Sequence, residues 1–312
     1  MEAILNPALL LFLSGILIGT IFRLILPNSI SKYLGYYLLL SLGLKGGSSL
    51  QENGFISEVI SALTLGVVFA LLIPIIAYFY LKNLLNSDDA AALSGTYGSV
   101  SAVTFVTAIS YLTTTDQNFD NYMSAVLVVM EFPAIFMALY LVTQNKQIKG
   151  NNLDTIKTTF LEVPNIILIS SLFLGYFVNQ TLLSNLDFII VEIFDYVLYV
   201  FLFVMGTRVA KRIGELKGNG ASLIAFALCT PLIGSIIALI ASTNFNFSVG
   251  NATLLMVLTA SASYIAVPAV VKDAIPDANP AIYLGLSLGV TFPFNIIIGI
   301  PLYNELAKYF IG

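Results

Sequence analysis

The chain has 312 residues, 58% of them drawn from AVILMFWYC and only 10% charged, with a mean hydropathy of +0.93. A soluble domain carries about 25% charged residues. The composition therefore excludes a soluble enzyme and a disordered scaffold, and 13 basic against 17 acidic side chains exclude a nucleic-acid binder. Zero histidines and a single cysteine, Cys229, exclude zinc and haem ligation, histidine general bases, Cys-His nucleophiles and an intrachain disulfide.

Apolar runs of roughly 17 to 25 residues between polar punctuation predict an all-α membrane protein with ten spans. In chain order these are 6–26, 31–46, 55–81, 89–112, 119–142, 160–182, 186–207, 220–242, 250–272 and 279–310. The first is reached without a basic region or a small-residue cleavage site and reads as a retained span, not a secretory signal. The second is short and is expected to end in Gly43-Leu44-Lys45-Gly46-Gly47, whereas the last is long and contains Pro293 and Pro301. Ten crossings take about 200 residues, which leaves no room for a soluble domain.

Basic residues orient the spans. With the N-terminus outside, Arg23, Lys32, Lys82, Lys146, Lys149, Lys157, Arg208, Lys211, Arg212, Lys217 and Lys272 are cytoplasmic, and only Lys45 and Lys308 are outside. Both termini then lie outside. The chain divides into a first five-helix repeat (1–145), a cytoplasmic linker (146–158) and a second five-helix repeat (159–312). Because five is odd, the second repeat enters the membrane in the opposite sense to the first, as an inverted repeat. Pro7 with Pro164, Gly19 with Gly175, Gly46 with Gly206, Ser99 and Ser101 with Ser261 and Ser263, and Phe132-Pro133 with Phe292-Pro293 recur in order at a near-constant offset.

The fourth and ninth spans contain the least helix-like stretches, Ser-Gly-Thr-Tyr-Gly-Ser-Val-Ser-Ala-Val-Thr at 94–104 and Thr-Ala-Ser-Ala-Ser-Tyr-Ile-Ala-Val-Pro at 259–268. Backbone that leaves the helix at membrane depth must line a cavity or be buried in protein, so both spans are expected to be broken helices. A helix that restarts after a break presents free N–H groups and a positive dipole end to a small anion. Gly98 gives close backbone approach, Ser99, Ser101, Ser261 and Ser263 give hydroxyls, and Pro268 stands where a half-helix can start. Small residues spaced for close helix packing are the competing reading of both segments.

Glu131 lies in the middle of a span, where an ionisable side chain is costly and marks function. Pro133 breaks the ladder behind it and frees carbonyls that can join the carboxylate around a cation; Thr291 is the equivalent residue in the second half. The competing reading of Glu131 is a protonated acid bonded to a neighbouring helix. Asp187, Glu192 and Asp195 read as solvated outer charges. The group Arg208, Lys211, Arg212 and Lys217 reads as a topology and lipid signal. No Gly-rich phosphate loop supports ATP-driven transport, and no cofactor is expected.

Leu42-Gly-Leu-Lys-Gly-Gly47, Gly98-Ser-Val-Ser101, Met130-Glu-Phe-Pro-Ala134, Val204-Met-Gly206, the block Ala274-Ile-Pro-Asp-Ala-Asn-Pro-Ala-Ile-Tyr-Leu-Gly285 and Gly299-Ile-Pro-Leu302 together resemble the sodium-dependent bicarbonate transporters of cyanobacteria and their wider bacterial superfamily. The resemblance runs over essentially the whole chain. It implies a core domain that carries substrate against a more static gate domain, a homotrimer in the bacterial inner membrane, and symport of bicarbonate with sodium as the coupling ion. It implies an anion site at Gly98, Ser99, Ser101, Ser261 and Ser263 and a PII-like regulatory protein on the cytoplasmic face; the cation is expected near Glu131 and Thr291, with Tyr264 at the place of a family aspartate. Three departures stand out: alanines interrupt the second serine run and Tyr264 replaces the family's aspartate, Glu131 replaces a shorter aspartate, and the long linker is missing. A symporter of another small monovalent anion, proton coupling and a non-transporting membrane sensor remain as alternatives.

Overall fold

The structure is a computed structural model that describes residues 7–24, 26–143, 163–178, 185–215, 220–265, 267–268, 271 and 275–312. The linker at 146–158, Lys217, Lys272 and Ala274 lie outside the described residues. All regular structure among the described residues is helical, as lipid requires of backbone that must satisfy its own polar groups. The helices are α1 (Pro7–Phe22), α2 (Asn28–Asn53), α3 (Ser57–Leu81), α4 (Ser87–Gly98), α5 (Ala102–Thr114), α6 (Met123–Thr143) and α7 (Val163–Phe177). They continue with α8 (Phe194–Glu215), entered through a π turn at Phe188–Glu192, then α9 (Ala221–Asn244), α10 (Val249–Ala260) and α11 (Pro280–Ile311).

The chain is a multi-pass membrane protein. Five helical stretches are long and apolar enough to cross a bilayer: Ser57–Leu81, Ser87–Thr114 (α4 with α5), Phe188–Arg212, Ala221–Asn244 and Pro280–Ile311. They differ in what surrounds them. The most apolar part of α3 is 39% buried and turns Ile60, Val68, Ile76 and Phe79 outward, whereas that of the α4–α5 stretch is 94% buried. The least apolar of the five is thus enclosed by the others, where its serines and threonines face protein instead of lipid.

Glycines set the closest helix crossings. α1 lies on α8, where a Cβ on Gly15 would fall 2.2 Å from the Phe203 carbonyl oxygen and one on Gly206 2.3 Å from that of Phe12. α2 lies on α7 in the same way: a Cβ on Gly47 would meet the Leu172 carbonyl oxygen at 2.0 Å, and one on Gly175 that of Leu44 at 2.2 Å. This corrects the expectation for the second span. Its glycines are contact points, not a stop, so α2 runs on to Asn53 and ends at Gly54, which has φ 64. Pro293 and Pro301 leave the last helix unbroken as well, because π turns at Ser287–Thr291 and Asn295–Gly299 precede them and widen the ladder where a proline ring would clash.

Candidate functional site

Both expected breaks are present. α4 stops at Gly98; Ser99 (φ −91, ψ 166) and Ser101 (φ −107, ψ 106) are extended, and α5 starts at Ala102. α10 stops at Ala260, Ser261 is extended (φ −84, ψ 163), and helical backbone returns at Val267 and Pro268. Gly98 is needed for packing: a Cβ there would lie 2.5 Å from Cγ of Pro74, whose ring cannot swing aside.

The two breaks are bonded to each other. Ser101 donates its N–H to Ser261 Oγ at 2.9 Å, and Ser263 donates its N–H to the Thr96 carbonyl at 2.9 Å. The four serines have different tasks. Ser101 Oγ caps α5 by accepting from the Thr104 N–H (3.2 Å) and hydroxyl (2.9 Å), and Ser263 Oγ accepts from the Val267 N–H at 3.3 Å. The Ser261 hydroxyl donates to the Leu258 carbonyl at 2.9 Å, while Ser99 Oγ is buried with no hydrogen-bond partner.

A cavity of about 50 Å³ opens against this crossing, on the scale of one or two water molecules at about 30 Å³ each and so suited to a small ion. Ser101, Ala102 and Val103 at the N-terminus of α5 line it, with Ser263, Tyr264, Glu131 and Asn165. The N-terminus of α5, its positive dipole end, therefore borders the cavity, with the Thr104 N–H already taken by Ser101 Oγ. Glu131 is 7% exposed. Of the sequence candidates, Ser101, Ser263, Tyr264 and Glu131 share the cavity wall. Gly98, Ser99 and Ser261 sit behind it in the break backbone. Thr291 is elsewhere: its Oγ1 donates to the Ala227 carbonyl at 2.8 Å and meets Tyr97 Oη at 2.5 Å. Asn165 is a cavity residue that sequence reasoning missed; the signal for it was a polar residue following Pro164 inside an apolar run.

The first half of each broken helix is anchored at its start by matching bonds. Asn86 caps α4 by accepting from the Asp89 N–H at 2.8 Å, and Asp89 Oδ1 accepts from the Asn279 N–H at 2.6 Å. Ser248 caps α10 by accepting from the Asn251 N–H at 3.2 Å, and Asn251 Oδ1 accepts from the Asp120 N–H at 2.8 Å. Each anchor reaches from one half of the chain to the segment before the last helix of the other half. Asn251 Nδ2 also reaches Asp120 Oδ2 (2.7 Å), Glu58 Oε1 (2.9 Å) and Tyr122 Oη (3.1 Å), so this anchor gathers two carboxyl groups where its counterpart has one.

Among the described residues no three His, Cys, Asp or Glu gather as metal ligands. A cation at the cavity would accordingly be held by Glu131 with backbone carbonyls and hydroxyls, the oxygen donors that hard cations take. Compared with known proteins, residues 7–308 match the sequence model of the Na+-dependent bicarbonate transporter superfamily. No curated protein matches the chain.

Proposed function

Because the chain belongs to the Na+-dependent bicarbonate transporter superfamily, we propose that it takes up bicarbonate together with sodium by alternating access in a bacterial inner membrane. The observation that carries the reading is the pair of broken helices bonded to each other beside an ion-sized cavity that also holds Glu131. The crossing supplies half-helix N–H groups to an anion without a basic side chain, and Glu131 is the acidic group on the cavity wall for the coupling ion. The serines take part at two levels: Ser101 and Ser263 shape the crossing, and the Ser99 hydroxyl is free to turn to a ligand.

Ten spans in two inverted halves, 1–145 and 159–312, are part of the proposal. The matched anchors of α4 and α10 support it, and so do the helix crossings. Gly206 lies against the Phe12 carbonyl, the Ile16 nitrogen and Gly15, and Gly47 lies against the Leu172 carbonyl, the Tyr176 nitrogen and Gly175, each 160 residues further on. The contacts of Gly206 are thus matched by those of Gly47, while Gly46 packs on Ser124. In this scheme α1, α2, α7 and α8 form the gate domain, and the helices around the crossing form the core domain that moves against it, with both termini outside. A homotrimer and a PII-like protein on the cytoplasmic face complete the scheme. Of the basic cluster, Arg208 is half-buried and bonded to Asn28 through one Nη at 2.8 Å, so it is turned away from such a partner.

Isotopic bicarbonate uptake into proteoliposomes, with sodium and proton gradients imposed separately, tests the reading. Uptake driven by inward sodium alone is expected. Uptake that follows a proton gradient without sodium would replace sodium by protons at Glu131, the second reading that a single membrane-embedded carboxylate favours. Binding without exchange would make the chain a sensor.

A further inference from the structure

A second, smaller space lies between the gate and core helices. Its volume is about 10 Å³, at the lower limit for a single water. Ala8 and Leu9 of α1, Thr107 and Tyr111 of α5, and Ile296 and Ile300 of α11 wall it. α5 joins the two cavities: Val103 lines the first, Thr107 and Tyr111 the second. Residues four apart share one helix face, so this face runs from one cavity to the other over about 12 Å.

The helix directions put the cavities toward opposite membrane faces. Along the α2–α7 contact Gly43 meets Leu168 and Gly47 meets Leu172, so these helices run parallel. The short connection 23–27 makes α2 antiparallel to α1, and α1 and α7 therefore start at opposite faces. The first cavity includes Pro164 and Asn165 at the start of α7, and the second Ala8 and Leu9 at the start of α1. They differ in closure as well. The first has Ile265, 50% exposed, on its wall, whereas Ala8, Thr107, Tyr111, Ile296 and Ile300 are all buried.

We propose that the Val103–Thr107–Tyr111 face of α5 is one wall of the ion route, and that the small cavity is the far end of that route, shut by Tyr111 with Leu9, Ile296 and Ile300. The structure is then the state in which the site communicates with the face where α7 starts. At the small cavity α1 and α11 present apolar side chains, and a narrow apolar constriction stops ions by excluding water. The polar atoms come from α5, as the Tyr111 phenol and as Thr107 Oγ1, which donates to the Val103 carbonyl at 2.8 Å. The gate differs at matching places too: Pro7 is followed by Ala8, and Pro164 by Asn165, so only the α7 side offers the ion a polar gate residue. This assignment rests on the reading of the chain as an alternating-access transporter, and it names the residues that close one side.

The test treats Thr107→Cys in Cys229→Ser protein with a membrane-impermeant methanethiosulfonate, in membrane vesicles of each orientation. Slow reaction is expected, and only from the face at which α5 ends. Adding Tyr111→Ala should speed it about tenfold, because an open form populated at about 0.1–10% gains population when a closing contact is lost. Ala108→Cys, one position off the face and fully buried, should not react. Reaction of Thr107→Cys from the face where α7 starts, no reaction with or without Tyr111→Ala, an equal rate in both, or equal reaction of Ala108→Cys would overturn the assignment. Should Tyr111→Ala not fold, Ile300→Ala loosens the same closure and carries the same expectation. Labelling needs no uptake. The expected labelling in a chain that takes up no bicarbonate keeps the route and removes the substrate, whereas bicarbonate uptake with Thr107→Cys unreactive keeps the substrate and removes the route.

Discussion

The two breaks have nearly the same sequence and end in different states. At the second, both serine hydroxyls are used: Ser261 bridges Ser101 N–H to the Leu258 carbonyl, and Ser263 caps the backbone at Val267. At the first, Ser101 caps α5, but Ser99 has nothing to bond. The position before each break differs too, since Gly98 is pressed against Pro74 and Ala260 carries a Cβ without penalty. Pseudo-equivalent residues therefore divide the labour. One break is closed by the fold, and the other is left with an unpartnered hydroxyl at Ser99.

The difference can be broken from three directions. Gly98→Ala puts onto the first break the methyl group that the second already carries. Its Cβ would lie 2.5 Å from a rigid proline ring, so the backbone must shift, at a cost of about 1–3 kcal/mol. A large fall in Tm and a loss of most uptake are expected, and unchanged values would show that the break can relax. Ser261→Ala removes the acceptor of the buried Ser101 N–H and costs about 1–3 kcal/mol, read as a lower midpoint of unfolding, with uptake reduced because the two breaks are no longer tied. Ser99→Ala should have the smallest effect on stability and the opposite sign. Deleting an unpartnered buried hydroxyl leaves the midpoint equal or raises it by up to about 1 kcal/mol, while the half-saturating anion concentration rises about three- to tenfold. Were Ser99→Ala as destabilising as Ser261→Ala, the division of labour between the breaks would be lost.

The five membrane-length helical stretches were legible in the sequence because lipid imposes length and apolarity on each run, and the breaks were legible because Gly, Ser and Pro accumulate where a ladder is interrupted. The α2 glycines were misread since a glycine that ends a helix and one that admits a neighbouring helix look alike until α7 is in place. Thr291 was paired with Glu131 by offset, yet the π turn that precedes Pro293 turns its hydroxyl to Ala227 and Tyr97. The bond of Arg208 to Asn28 was not legible, because it depends on a crossing of α8 with α2. The anchors at Asp89 and Asn251 were invisible for a similar reason: each joins residues more than 130 positions apart.

The account makes the anion at the crossed breaks and the cation at Glu131 occupants of one cavity, so each must strengthen the other's binding by the same factor. The direct measurement is the half-saturating bicarbonate concentration for uptake at limiting and at saturating sodium, in the unaltered protein and in Glu131→Gln. Saturating sodium should lower it about five- to a hundredfold in the unaltered protein, and Glu131→Gln should abolish the dependence while the protein remains folded. A bicarbonate half-saturation that responds to sodium equally in both would place the cation away from Glu131 and contradict the shared cavity.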